Sequence, residues 1–204
     1  SDPFEKRERL RELAIVHDTG RRDERAAFDA YARAFAEDPA DEEILAELDR
    51  LADATGQHGA LADLLERSAL GASDPEVAVR LFARAAELAE RNLGDDARAA
   101  RAMAQAVEHA GDRDELLVEL DRLYVKTESW NELGPVLERR VDLVFEPEAQ
   151  VELLVRLGEL RRARYADLRG AYEAFSRVLD VEPSEARATA ALVELGKDES
   201  LAAD

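Results

Sequence analysis

The sequence contains no cysteine, which removes disulfide staples and thiolate metal sites and leaves the redox compartment open. Lysine is nearly as scarce, at Lys6, Lys126 and Lys197, so the positive charge is carried almost wholly by arginine. Aromatic residues make up 5% of the chain, and β-branched residues are sparse, so a sheet has little to build from. No run approaches the roughly 18 apolar residues of a membrane span, and the N-terminal Ser-Asp-Pro-Phe-Glu-Lys-Arg-Glu-Arg holds no apolar signal core. There is no G-x-G-x-x-G, G-x-x-x-x-G-K-[ST] or G-x-S-x-G. An excess of basic residues is missing as well: 47 acidic side chains against 28 basic ones give a net charge of −19. That balance speaks against nucleic acid and against an anionic membrane surface, both of which need a clustered basic face. The acidity reads either as solubility or as a preference for a basic partner.

What the 204 residues do contain is Ala, Leu, Glu and Arg, the strong helix formers. They are also periodic. Leu48-Asp49-Arg50-Leu51 recurs as Leu120-Asp121-Arg122-Leu123, a shift of 72 residues. The same gapless shift carries Leu65-Glu66-Arg67 onto Leu137-Glu138-Arg139, Pro75-Glu76 onto Pro147-Glu148, and Asp95 and Ala99 onto Asp167 and Ala171. It extends outward through Asp23, Ala27 and Pro39 on one side and Leu192 and Leu195 on the other. Chance similarity between helices of like composition would scatter its matches rather than hold one register over many turns.

Each 72-residue unit holds four helices. In the second full unit the spacing predicts helices over Asp114–Lys126 and Trp130–Val144, a third opened by Glu146-Pro147, and a fourth capped by Asp167 and running to Asp180. Their apolar positions include Leu116, Leu117, Leu120 and Leu123, then Leu133, Val136, Leu137 and Val141, then Val151, Leu154, Leu157 and Leu160. Pro183 breaks the chain, and Ser184 is expected to cap the next helix. In the first full unit Asp41, Asp74-Pro75, Gly94-Asp95 and Gly111 serve as the punctuation. Loops of about 2–6 residues make consecutive helices antiparallel hairpins. Because each hairpin has apolar residues on more than one stripe, hairpins must stack to hide them, which gives an all-α solenoid.

Half of each unit resembles the tetratricopeptide repeat. That family's second helix carries small, aromatic, small and Pro positions, matched by Ala27, Tyr31, Ala34 and Pro39, and by Ala171, Phe175, Val178 and Pro183 with one substitution. Ala99, Met103, Ala106 and Gly111 fit more loosely, and Leu157-Gly158 matches the Leu-Gly pair of the preceding helix, where the first unit has Ala85-Ala86. Leu120, Tyr124 and Trp130-Asn131-Glu132-Leu133 look like a worn version of the same motif. The resemblance implies an α-α superhelix of about ten antiparallel helices in one repeat domain. Its parts are a partial unit over 1–40, full units over 41–112 and 113–184, and a partial unit over 185–204. Gly196-Lys197-Asp198-Glu199-Ser200 matches the turn before a further helix, so the chain is expected to be a piece of a longer array.

Chemistry has few candidates. His17, His58 and His109 lie in different units without a second ligand on the same helix, so no metal or other cofactor is expected. The carboxylates alternate with arginines at helical spacing, as solvated faces do. Trp130 is expected to pack at a hairpin turn, in the slot His58 occupies one unit earlier. No enzymatic site is read from the sequence, and a protein-binding scaffold is the expected function. In tetratricopeptide arrays the first helix of each hairpin lines a concave groove. The resemblance places Glu43, Arg50, Asp53, Arg80, Glu87, Glu90, Glu115, Arg122, Lys126, Glu152, Glu159 and Arg162 there. Such a groove is mixed but leans acidic, and would take a peptide or protein with some basic character. The same positions read equally as solvated helix faces. The competing expectation is end-to-end self-assembly through Leu10, Leu13 and Val16 at one end and Ala191, Leu192 and Leu195 at the other.

Overall fold

The computed structural model describes residues 2–197. Among them are eleven α-helices and no strand. They fall into two compact units, Ser1–Gly111 and Asp112–Asp204. The first holds α1 (Pro3–Ile15), α2 (Glu24–Phe35), α3 (Glu42–Thr55), α4 (His58–Gly71), α5 (Pro75–Arg91) and α6 (Asp96–Ala110). The second holds α7 (Asp114–Lys126), α8 (Trp130–Leu143), α9 (Pro147–Leu160), α10 (Leu168–Val181) and α11 (Ala186–Leu195). Within each unit every helix packs on its neighbours in sequence, and the short turns make each pair antiparallel. π-helical turns over Val16–Gly20 and Arg161–Tyr165 extend α1 and α9.

One turn recurs three times at the 72-residue spacing. The carboxylates of Asp23, Asp95 and Asp167 accept from the backbone N–H of Ala26, Arg98 and Gly170 at 3.0, 2.8 and 2.8 Å, capping α2, α6 and α10. Their own N–H groups donate to the carbonyls of His17, Ala89 and Arg161 at 2.9, 2.9 and 3.0 Å. The residue before each Asp is left-handed: Arg22 at φ 53°, Gly94 at 64° and Ala166 at 52°. The pair Gly56 (φ 73°) and Glu128 (φ 55°) repeats the pattern between α3 and α4 and between α7 and α8. The backbone geometry therefore persists where glycine does not, and Arg22, Glu128 and Ala166 carry the Cβ penalty of that region.

Asp2 accepts from Phe4 N–H at 3.1 Å and opens α1 at Pro3. One expected boundary shifts. The cap of α11 is Glu185, which accepts from Arg187 N–H at 3.1 Å, rather than Ser184. Helical geometry begins only at Ala186, one residue too late for Ser184 to reach the first turn, and its hydroxyl instead donates to Glu182 at 2.5 Å. The part of the Gly196-to-Ser200 match beyond Lys197 lies outside the described residues.

The second unit's core joins Leu133, Leu137 and Val141 of α8, Val151, Leu154 and Leu157 of α9, Ala171, Phe175 and Val178 of α10, and Ala188, Ala191 and Leu195 of α11. Its tightest contact is α9 on α10. A Cβ added at Gly158 would lie 2.8 Å from the Phe175 ring. One repeat earlier the same two places hold Ala86 and Met103, both buried between α5 and α6. The pair exchanges volume: a methyl group appears on one helix where a flexible thioether replaces a ring on the other. On α8, the Tyr165 hydroxyl accepts from Gly134 N–H at 3.2 Å and donates to the Trp130 carbonyl at 2.5 Å. Arg164 stacks over Trp130 at 4.4 Å from the ring centroid, so that ring packs at the hairpin turn. The phenol thus inserts into the backbone ladder just before Pro135, which has no N–H to contribute.

Two predictions follow the turns and the α9–α10 contact. Ala166→Gly and Glu128→Gly each raise stability by about 1 kcal/mol, read as a higher urea midpoint at unchanged slope. Gly158→Ala lowers stability by about 1–2 kcal/mol, because overpacking outweighs the gain in helix propensity. Adding Phe175→Met to Gly158→Ala recovers most of that loss in the same urea titration.

Candidate functional site

The odd-numbered helices of each unit are joined to one another by ion pairs. In the first unit Arg11 of α1 meets Glu43 of α3 at 2.5 Å, and Arg50 of α3 meets Asp18 in the turn after α1. Glu42 and Asp49 of α3 then meet Arg80 and Arg84 of α5 at 2.8 and 2.9 Å. In the second unit Arg156 of α9 clasps Asp121 of α7 with both nitrogens, at 2.8 and 2.7 Å. Glu152 of α9 meets Arg187 of α11 at 2.9 Å, and Arg162 meets Glu194 of α11 at 3.0 Å. Each rung links residues more than thirty positions apart, reaching from one hairpin's first helix to the next.

The twelve residues predicted to line a groove are distributed over this surface as follows. Glu43, Arg50 and Asp53 are exposed on α3; Arg80, Glu87 and Glu90 are half-buried on α5. Glu115, Arg122 and Lys126 are exposed on α7, Glu152 and Glu159 on α9, and Arg162 on the π-turn that follows. The structure brings Glu43 and Arg50 to one opening and puts Glu43, Arg50, Arg80, Glu152 and Arg162 into inter-helix pairs. Glu87 instead holds Arg84 and Arg91 on its own helix, Arg122 holds Glu119 at 2.5 Å, and Asp53 lies 3.8 Å from His58. Much of the expected charge is therefore already engaged within the fold.

The opening between α1 and α3 has a volume of about 660 Å³. Ile15, Ile44, Ala46 and Tyr31 form its apolar lining, and the Arg11–Glu43 and Asp18–Arg50 pairs stand beside them with Glu47. Tyr31 is 5% exposed. Burial pushes its phenol above the ordinary tyrosine range, and the charges of Glu47 and Asp18 push the same way. Reading the sequence for groove positions missed Arg11, Asp18, Ile15 and Tyr31, which reach this opening from α1, the turn after it and α2.

A second feature lies deeper. Asp121 is 4% exposed and accepts from Arg140 of α8 at 2.5 Å as well as from Arg156. One repeat earlier Asp49 and Arg84 make the same contact nearer to solvent, with Ser68 in the place of Arg140. The recurrence of Asp49 as Asp121 is the signal in the sequence that could have found it.

Of the residues expected at self-assembling ends, Leu10, Ala191 and Leu195 are buried in their own units, whereas Leu13 and Val16 are 41% and 50% exposed. Among the described residues no group of three or more His, Cys, Asp or Glu is placed to hold a metal ion. Among the same residues no helix is long and apolar enough to cross a membrane.

Stacked antiparallel hairpins with a small-residue contact in each tight pair decide the architecture. The fold is tetratricopeptide-like. A crystal structure of a TPR repeats protein from Bacteroides fragilis aligns over 96% of this chain and 98% of its own, with a TM-score of 0.53 at 10% identity. YrrB, described as a TPR protein with an unusual peptide-binding site, aligns over 89% of both chains at TM-score 0.42 and 14% identity. MamA aligns over 90% of this chain and 96% of its own at TM-score 0.43 and 14% identity. No protein-family model matches the sequence, and no curated protein matches it.

The buried carboxylate gives a prediction. Asp121→Ala strands the Arg156 guanidinium, leaves Arg140 with Asp114 alone and costs about 3 kcal/mol, whereas Asp49→Ala, at a site nearer to water, costs about 1 kcal/mol or less. Equal losses for the two in chemical denaturation would show that burial of the second carboxylate is of no consequence.

Proposed function

We propose that this chain is a non-catalytic protein-interaction module whose odd-numbered helices present a peptide-binding face. Residues 41–112 and 113–184 act in this reading as two copies of one double-hairpin unit. The observation that carries it is the opening between α1 and α3, where an apolar floor of Ile15, Ile44 and Tyr31 lies beside Glu43, Glu47 and Asp18. An opening of about 660 Å³ has room for large apolar side chains. Three carboxylates against Arg11 and Arg50 leave a local excess of negative charge, so the partner segment carries Lys or Arg next to its apolar anchor.

Because the chain has no cysteine, Ala46→Cys gives a unique labelling position at the opening. An environment-sensitive dye there should change emission saturably on titration with peptides that pair an apolar residue with Lys or Arg, and should not respond to their Glu counterparts. Glu43→Lys together with Glu47→Lys should weaken that binding on the order of tenfold. A dye response indifferent to peptide charge, or unchanged by the double substitution, removes the proposal.

A further inference from the structure

The first unit has a larger opening elsewhere, of about 740 Å³, formed by the C-terminal ends of α2 and α4 and the turns that follow them. Ala32, Ala36, Pro39, Leu64, Ala72 and Val77 give it an apolar wall. Arg33 of α2 and Arg67 of α4 also line it, and both side chains are exposed. Among the described residues neither makes an ion pair or a side-chain hydrogen bond. By contrast Arg50, Arg80, Arg84, Arg91 and Arg98 in the same unit each hold a carboxylate.

The carboxylates around this opening are committed elsewhere. Glu37 is held by Lys6 at 2.5 Å, Asp38 by Arg7, and Asp74 accepts from Glu76 N–H at 2.9 Å as the cap of α5. The charge left unanswered at the rim is therefore positive, in a chain whose net charge is −19. The opening between α4 and α6, about 470 Å³, shows the contrast, since Asp63, Glu66 and Asp95 outnumber Arg98 and Arg101 in its lining. There Arg98 reaches Asp63 at 2.6 Å and Glu66 at 2.8 Å, so its cation is used within the fold.

We propose that the α2–α4 opening docks a short acidic segment of a partner protein, with an apolar side chain against the Leu64–Val77 wall and carboxylates on Arg33 and Arg67. A guanidinium accepts a carboxylate through two parallel hydrogen bonds, which fixes orientation as well as charge. The apolar wall, with volume for several side chains, fits a peptide rather than a bare anion. The site is opposite in sign to the α1–α3 face and stands or falls independently of it.

The test is an array of randomised hexapeptides probed with the labelled full chain at about 0.15 M salt, where a Debye length of about 8 Å screens the repulsion of the remaining surface. Peptides pairing Asp or Glu with Leu, Ile or Val should be enriched. The set should be lost with Arg33→Glu and Arg67→Glu together, and weakened about tenfold or more by Arg33→Gln or Arg67→Gln alone. Glu43→Lys should leave it intact, and thermal melts should show all of these variants folded. Absence of an acidic set overturns the proposal, as does an acidic set that survives the double charge reversal. Acidic peptides that bind equally well with glycine in place of their apolar residues, or are displaced by millimolar inorganic phosphate alone, also overturn it.

Discussion

The closeness of paired helices constrains everything else in this chain. In α9 and α10 the distance is set by Gly158 meeting the face of Phe175, and in α5 and α6 by the buried stripe of Ala85, Ala86, Ala89, Ala99 and Ala106. Small residues on one helix allow the partner to approach until its larger side chains fill the gap to the next hairpin. Most of the apolar burial then runs along the stack rather than around a single centre, which is why a helix such as α10, amphipathic by itself, is stable only between neighbours. Fixing that spacing also brings successive first helices within reach of an Arg–carboxylate pair.

The helices, their order and their antiparallel pairing were legible in the sequence because the apolar period and the Asp, Pro and Gly punctuation agree with the packing. Asp41, Asp95 and Asp167 cap where the pattern puts them. The left-handed turns at Arg22, Glu128 and Ala166 were not legible, since the usual marker is glycine; the geometry goes with an Asp cap and a long backbone bond at Arg22 and Ala166, and with the Ser129-to-Tyr124 backbone bond alone at Glu128. Glu43, Arg50 and Glu159 are exposed in the structure. Their pairing was beyond reach, because helical spacing reports neighbours on one helix and says nothing of Arg11 meeting Glu43 or Glu152 meeting Arg187.

The pairing changes how the net charge should be regarded. A mixed surface in sequence looks like one available to any partner. In the fold most arginines of the odd-numbered helices have intramolecular carboxylates, and Arg98 draws two more on the even-numbered side. Individually these exposed pairs contribute little, typically under 1 kcal/mol. Their larger effect is on recognition, because a bound segment must offer something better than the pair it disturbs. The unpaired guanidinium groups of Arg33 and Arg67 ask for no such exchange.

The contact of Asp49 with Arg84, repeated as Asp121 with Arg156, spans two hairpins yet lies wholly inside residues 41–112 and again inside 113–184. Copying a 72-residue block therefore carries both halves of the contact together. Copying a single hairpin would separate acid from base and leave one of them facing a helix with no answering charge. Within residues 41–184 the 72-residue period of the sequence is thus also the period of this contact.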